Sequence, residues 1–253
     1  MSQHDSIDRI TPTLEPDSPV LMHQNWHHLL FLHWAVPAAS LQALVPSGLT
    51  IDTFDGNAYV GLVPFTMTGI RAVSMPPIPG LSAMHEVNVR TYVHKGGRDP
   101  GVWFFSLDAN STVAVAAARM AFHLNYYRAE MEFRASSDTF PVVELRTQRD
   151  DDRGPMPANG MFRYRPLEGA VKPADPGTLE HFLLERYILY AEDTGKQLYR
   201  GRVSHQPYPV QRAEVLELDE TLIWAAGIRR SEEAPLRHYA REVNVKVHAI
   251  ERV

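Results

Sequence analysis

The chain has 253 residues, of which 44% are hydrophobic and 22% charged, enough to bury one large core or two small fused ones. Twenty-five Lys plus Arg against 30 Asp plus Glu give a net charge of −5, so nothing draws the chain as a whole to nucleic acid or an anionic membrane. Zero cysteines exclude disulfides, thiolate metal sites and cysteine nucleophiles, which fits a reducing compartment. Met1 to Ser18 is polar and acidic without an apolar signal core, and no apolar run reaches the ~18 residues of a membrane span. The expected location is cytoplasmic.

In chain order, residues 1–20 read as a disordered tail and 21–253 as a single domain. Trp26 to Ala35 is apolar on both faces if extended, which predicts a buried strand with Trp26, His28, Leu30, Leu32 and Trp34 on one side. Pro37 opens a short helix through Leu44, ended by Pro46-Ser47-Gly48. Thr50 to Phe54, the Asp55-Gly56 turn and Ala58 to Ile70 predict a hairpin, with Pro64 marking an edge or a bulge. Met75-Pro76-Pro77-Ile78-Pro79-Gly80 reads as a stiff connection. The next strand puts Val87, Val89, Thr91 and Val93 on one face and Glu86, Asn88, Arg90 and Tyr92 on the other. Gly101 to Asp108 continues as a strand, Asn110 or Ser111 can cap a helix over Thr112–Phe122, and Tyr126 to Phe133 is extended again. Thr147 to Gly160 is charged and turn-rich and predicts an exposed loop at the midpoint.

The second half predicts a strand near Phe162–Arg165, a helix from Leu179 to Arg186, and strands at Tyr187–Ala191, Gln197–His205, Val210–Leu218 and His238–Ile250. A short helix, Glu220–Ala226, stops at Gly227. Many short strands with turn signals and few helices point to a mainly β (α+β) closed or partly closed barrel. Glu86-Val87-Asn88-Val89-Arg90 recurs as Glu242-Val243-Asn244-Val245-Lys246, an echo that leaves both internal duplication and coincidence open.

The polar row Glu86, Asn88, Arg90 and Tyr92 either faces solvent or lines a cavity, where an acid and a base on one row would favour each other's charged form. His23, His27, His28 and His33 invite a metal, but the successive strand residues His27 and His28 face opposite ways and cannot converge without a bulge, so no metal is expected. His123, between the helix and the tyrosines, has a side chain suited to proton transfer, or it is a helix-end histidine. Ser106 and Asp108 share a strand face with Phe104 but no nucleophile elbow surrounds them. There is no phosphate-binding glycine loop and no basic surface interleaved with aromatics, so no cofactor or nucleic acid is expected.

Trp34-Ala35-Val36-Pro37, Leu44-Val45-Pro46-Ser47-Gly48-Leu49, Phe54-Asp55-Gly56, Asn88-Val89-Arg90-Thr91-Tyr92-Val93 and Leu198-Tyr199-Arg200-Gly201-Arg202 together resemble the YqjF-type family of uncharacterised bacterial proteins, from about Leu21 to Val253. That family resembles the acetoacetate decarboxylase superfamily, which implies a barrel with a largely apolar internal cavity. In the decarboxylase pattern a strand glutamate faces a lysine pair that follows a helix. The glutamate falls on Glu86 and the lysine pair on Tyr126 and Tyr127. A Schiff base needs an amine, which tyrosine lacks. Of the four lysines, Lys95, Lys172 and Lys196 lie in turns and loops, and Lys246 alone sits on a strand's polar row.

The expected function is a small-molecule pocket without Schiff-base chemistry, an acid/base lyase or isomerase acting on a small carboxylate or ketone. Glu86 would be the acid or base, Arg90 would hold a carboxylate or enolate, and Tyr126 or Tyr127 would donate to a developing oxyanion. Asn88, Trp103, Phe105 and His123 complete the expected ligand-binding set, with one tyrosine of the pair within about 8 Å of Glu86. The alternatives are a non-catalytic ligand-binding barrel and a structural or oligomerisation barrel. The expected partner is a small molecule, with homo-oligomerisation open.

Overall fold

A computed structural model of the chain describes residues 7–77 and 82–253. Strand β1 (Val20–Val36) is followed by a short helix α1 (Ala38–Gln42), a two-residue β2 (Thr50–Ile51), and the long strands β3 (Ala58–Ala72), β4 (Met84–Lys95) and β5 (Arg98–Ala109). Helix α2 (Thr112–Phe122) then leads into β6 (Tyr126–Ala135), β7 (Val143–Arg149) and β8 (Asn159–Pro166). Next come α3 (Leu179–Leu184), β9 (Ile188–Glu192), β10 (Leu198–Ser204), β11 (Val210–Glu220), α4 (Leu222–Ala225), β12 (Leu236–His248) and β13 (Glu251–Arg252). Among the described residues no helix is long and apolar enough to cross a membrane.

The strands close two circuits that share one wall. β12, β1, β3, β4 and β5 run antiparallel in that order. The first circuit continues from β5 through the parallel β9 to β10, which meets β12 at the short seam Val203↔Val247 and Ser204↔Lys246. The second leaves β5 through the parallel β6 and passes along β7, β8 and β11 back to β12. Closure of this kind leaves few unpaired edges.

Where both faces of the shared wall are covered, as along β1 from Leu29 to Leu32, the strand is apolar on both sides. Leu29, Phe31, Val63, Phe65, Val243 and Val245 pack into the first circuit. Leu30, Leu32, Val87 and Val89 pack into the second, against Val143, Leu145, Phe162 and Tyr164. Each fully buried side chain of this size contributes roughly 1.5–3 kcal/mol.

Two irregularities break the alternation expected along β1 and β5. His28 adopts a left-handed φ of 54°, so Trp26 lies on the same side as Leu29 and Phe31, not with Leu30, Leu32 and Trp34. The β1–β3 register also shifts between His27 and Leu32, and Pro64, which has no N–H to give, lies in the matching gap. On β5 the register against β4 shifts where Ser106 pairs with Val89 and Phe104 with Arg90. Phe105 is the extra residue, and Ser106 and Asp108 therefore face the second circuit while Phe104 faces the first.

Other expectations change in detail. Asp55 and Gly56, both at positive φ, make the tight turn between Phe54 and Asn57, but β2 pairs with β4 rather than β3. Thr147 to Gly160 is not simply an exposed loop: β7 and β8 pair across it from Gln148↔Asn159, and Arg149 and Asp151 are buried. Met75–Pro77 carries no strand, and the remainder of that proline-rich connection through Gly80 lies outside the described residues. Of the segment expected as a tail, residues 7–19 include a buried Ile7, Arg9 paired with Asp52 at 2.5 Å, and a 3-10 turn at Thr11–Thr13.

Candidate functional site

The polar row of β4 faces inward. Glu86, Asn88 and Arg90 line a cavity of about 130 Å³ inside the first circuit. The remaining wall is mostly apolar, with Trp26, Phe31, Phe65, Phe104, Phe122, Tyr126 and Tyr208 its aromatic members. A hole of ~150 Å³ is known to admit benzene, so this cavity suits a ligand of roughly six non-hydrogen atoms.

Glu86 is 2% exposed. The Tyr126 hydroxyl donates to its Oε2 at 2.7 Å and the Asn88 amide donates to its Oε1 at 3.2 Å. Burial pushes the Glu86 carboxyl up to about 7, against the two hydrogen bonds, which pull it down, while the charge of Asp108 adds a further upward push. Near neutral pH Glu86 is therefore divided between acid and carboxylate, the condition for a side chain that both takes and returns a proton. Burial and the neighbouring carboxylate hold Tyr126 well above its ordinary value, so it remains a hydrogen-bond donor.

Arg90 does not pair with Glu86; four strand positions separate them by about 13 Å. Its Nη2 donates to the Leu183 carbonyl at 3.2 Å, its Nε has no partner, and the guanidinium lies 5.6 Å from the Phe31 ring centre. Among the described residues no carboxylate reaches it within ion-pair distance, although it is only 7% exposed. A buried guanidinium in that state calls for an anion. The same carbonyl accepts from the Tyr92 hydroxyl at 2.8 Å, and Tyr92 also contacts His33 Nε2 at 2.7 Å. His33 is pushed well below its usual range by burial and by the Arg90 charge. Gly61 makes this crowding possible, since a Cβ there would come within 3.2 Å of the His33 ring and 3.3 Å of Arg90 Cγ.

Four of the eight expected site residues thus meet at the cavity: Glu86, Asn88, Arg90 and Tyr126. The other four lie elsewhere. Tyr127 alternates away from Tyr126 and packs its ring 4.3 Å from the Arg149 guanidinium. Trp103 and Phe105 pack into the second core because of the β5 bulge. His123 ends α2 in a left-handed conformation, its ring 4.6 Å from Tyr199. Lys246 points outward and pairs with Glu15 at 2.6 Å. His27 and His28 take separate partners, Thr68 and Tyr239.

Sequence reasoning missed Phe104, Ala118 and Phe122 in the wall and the buried Asp108–Arg149 pair at 2.8 Å behind it. Val115, Ala118 and Phe122 recur at i, i+3 and i+7, a helical face the sequence does display. The Asp108–Arg149 pair joins residues 41 apart, for which no local pattern exists.

The fold has relatives among solved enzymes. An acetoacetate decarboxylase-like enzyme from Sphingomonas wittichii RW1 matches with a TM-score of 0.61 and 12% identity over 93% of each chain. The acetoacetate decarboxylase from Legionella pneumophila matches at 0.60 and 11%, over 96% of this chain and 91% of that one. The enduracididine biosynthesis enzyme MppR, complexed with pyruvate, matches at 0.60 and 11%, over 93% and 91%. At these identities the likeness is one of fold, which is acetoacetate decarboxylase-like. In sequence the chain is 40% identical over 230 residues to the uncharacterized protein YqjF of Bacillus subtilis, covering 91% of each. With a family model also matching residues 23–244, the chain belongs to the DUF2071 family of uncharacterized conserved proteins.

Proposed function

We propose that the cavity binds a small oxo acid and moves a proton next to its carbonyl, as an acid/base isomerase or lyase that forms no imine. The observation that carries this reading is the 2.7 Å contact of Tyr126 with a buried Glu86 in a cavity that also holds Arg90, which has no carboxylate partner among the described residues. Arg90 holds the substrate carboxylate. The Glu86 carboxylate takes a proton from the carbon beside the carbonyl, and the C–H electron pair moves onto the carbonyl oxygen. Tyr126 turns its O–H toward that oxyanion, and Glu86 returns the proton to carbon. The cavity wall includes no lysine among the described residues, and the family resemblance aligns Tyr126 and Tyr127 with the lysine pair of the decarboxylase pattern. A structural neighbour complexed with pyruvate supports a ligand of this size and charge.

The test is solvent exchange at C3 of 2-oxobutanoate in D2O, followed by proton NMR. The wild-type protein is expected to accelerate exchange saturably, Glu86→Gln to slow it by about 10²-fold, and Arg90→Met to remove saturation at millimolar ligand. Saturable binding without exchange would reassign the cavity to a non-catalytic binding role. Neither binding nor exchange would overturn the oxo-acid reading.

A further inference from the structure

The Tyr126 hydroxyl works at the end of a long, rigid ring, so its position depends on how firmly its backbone is held. We propose that Arg119 is a positioning residue for the site, fastening the Tyr126 carbonyl to α2 and thereby holding the Tyr126 hydroxyl against Glu86. Arg119 stands in the last turn of α2. Its Nε donates to the Tyr126 carbonyl at 2.7 Å, and its Nη2 donates both to that carbonyl and to Asp151 Oδ2, the latter at 2.6 Å.

Asp151 is the anchor of this arrangement. It is 5% exposed and accepts from the Arg128 backbone N–H at 3.1 Å and from the Arg153 guanidinium at 2.9 and 3.0 Å. Arg153, opposed by burial, together with Arg119 and the backbone donors, holds its carboxyl well below the usual range. One carboxylate thus ties the end of α2 to the start of β6 on either side of Tyr126.

The other ties at this point run to β5 and not to α2: the Leu107↔Tyr126 pairing and the Leu107 N–H bond to the Asn125 carbonyl at 2.9 Å. Of α2 only Val115 is buried, and the turn from His123 to Asn125 links helix to strand with a left-handed residue. Across the site, the Tyr126 hydroxyl donates to Glu86 on β4. A backbone tilt too small to unpair β6 displaces a tyrosine hydroxyl by about 1 Å, enough to spoil a catalytic contact. The wall residues Ala118 and Phe122 belong to the same helix, so cavity shape and hydroxyl placement are set together.

This inference rests on the reading of Glu86 and Tyr126 as the working pair, but its test needs no ligand. Carbon-13 NMR of labelled glutamate follows the Glu86 titration, which responds to the Tyr126 hydrogen bond and to the Asp108 charge. Tyr126→Phe is expected to raise the Glu86 midpoint by about one pH unit, the worth of one hydrogen bond to a carboxylate. Arg119→Met is expected to raise it similarly, the double variant to match Tyr126→Phe alone, and Arg119→Lys to recover part of the shift. If Arg119→Met folds poorly, Asp151→Asn, which frees the Arg119 side chain, is expected to give a smaller rise in the same direction. A midpoint unmoved by Arg119 and Asp151 variants but moved by Tyr126→Phe would overturn the positioning role alone. A midpoint unmoved by Tyr126→Phe would overturn the working pair and the positioning role with it.

Discussion

Glu86–Arg90 on β4 and Glu242–Lys246 on β12 carry nearly the same five residues, and the molecule uses them in opposite orientations. On β4 the valines Val87 and Val89 enter the second core, and the polar row lines the cavity. On β12 the valines Val243 and Val245 enter the first core, while Glu242 and Asn244 are exposed. The difference comes from what lies behind each strand. β4 is covered on both faces along its length, so its polar row is buried. β11 pairs with β12 only from Ala240 back to His238, which leaves the outer face of residues 242–246 open. Alternation therefore sets which residues share a face, and the neighbouring layer decides which face is inside.

The largest consequence is for stability against pH. The folded-state value of Glu86, about 7 against an ordinary 4.5, means that the folded protein holds this proton more tightly than the unfolded chain. Its contribution is fully present below pH 4.5 and is lost as pH rises through 7, a difference of roughly 3 kcal/mol. Glu86→Gln removes the dependence: in urea titrations it is expected to match wild type near pH 4 and to exceed it by roughly 3 kcal/mol at pH 8. Asp108, raised to about 6 chiefly by burial, adds a slope of the same sign in both proteins. Glu242→Gln, on a side chain 70% exposed, is expected to stay within about 0.5 kcal/mol at every pH. Parallel curves for Glu86→Gln and wild type would mean that Glu86 is not desolvated.

A smaller effect separates the two asparagines. Asn88 donates to Glu86 at 3.2 Å and its own Oδ1 is buried without a partner. Asn88→Leu is expected to lift the Glu86 midpoint by about one pH unit at little cost in folding, because an unpaired polar atom is removed along with the bond. Asn244→Leu is expected to leave that midpoint where it is. Equal responses from the two variants would show that the midpoint reports general loosening rather than a local hydrogen bond.

The same contrast explains what was legible in the sequence. The mainly β architecture, the alternation on β4 and the nearness of Glu86 to a tyrosine all follow from local pattern or from the family resemblance. Whether that row met water did not, because its cover comes from α2, β9, β10 and Tyr208, all of them later in the chain. Simple alternation along β5 would put Trp103 and Phe105 on the cavity side with Leu107, and it fails at the bulge where Ser106 and Phe104 oppose Val89 and Arg90. His28 defeats alternation on β1 in the same way. A bulge is a property of two paired strands, and neither strand's residues alone announce it. Arg119 was invisible for a related reason, since its partners are a backbone carbonyl and an aspartate in a loop.

The smallest effect is expected at Lys246, the counterpart of Arg90 in the repeated pattern. Had β12 presented its polar row inward as β4 does, Lys246 would have put an amine in the cavity and made imine chemistry available. Instead its side chain is 42% exposed and paired with Glu15, itself 56% exposed. Such pairs contribute little, so Lys246→Met is expected to move the melting temperature by no more than about 2 °C. A Schiff base also needs its amine beside the bound carbonyl, and Lys246 does not line the cavity. Incubation with acetylacetone followed by borohydride and intact-mass measurement is therefore expected to give no stoichiometric adduct, with wild type and Lys246→Met indistinguishable. A single adduct mapped to Lys246 would mean that the outer face of β12 carries chemistry after all, and would replace the glutamate–tyrosine reading with a relocated-lysine decarboxylase or aldolase.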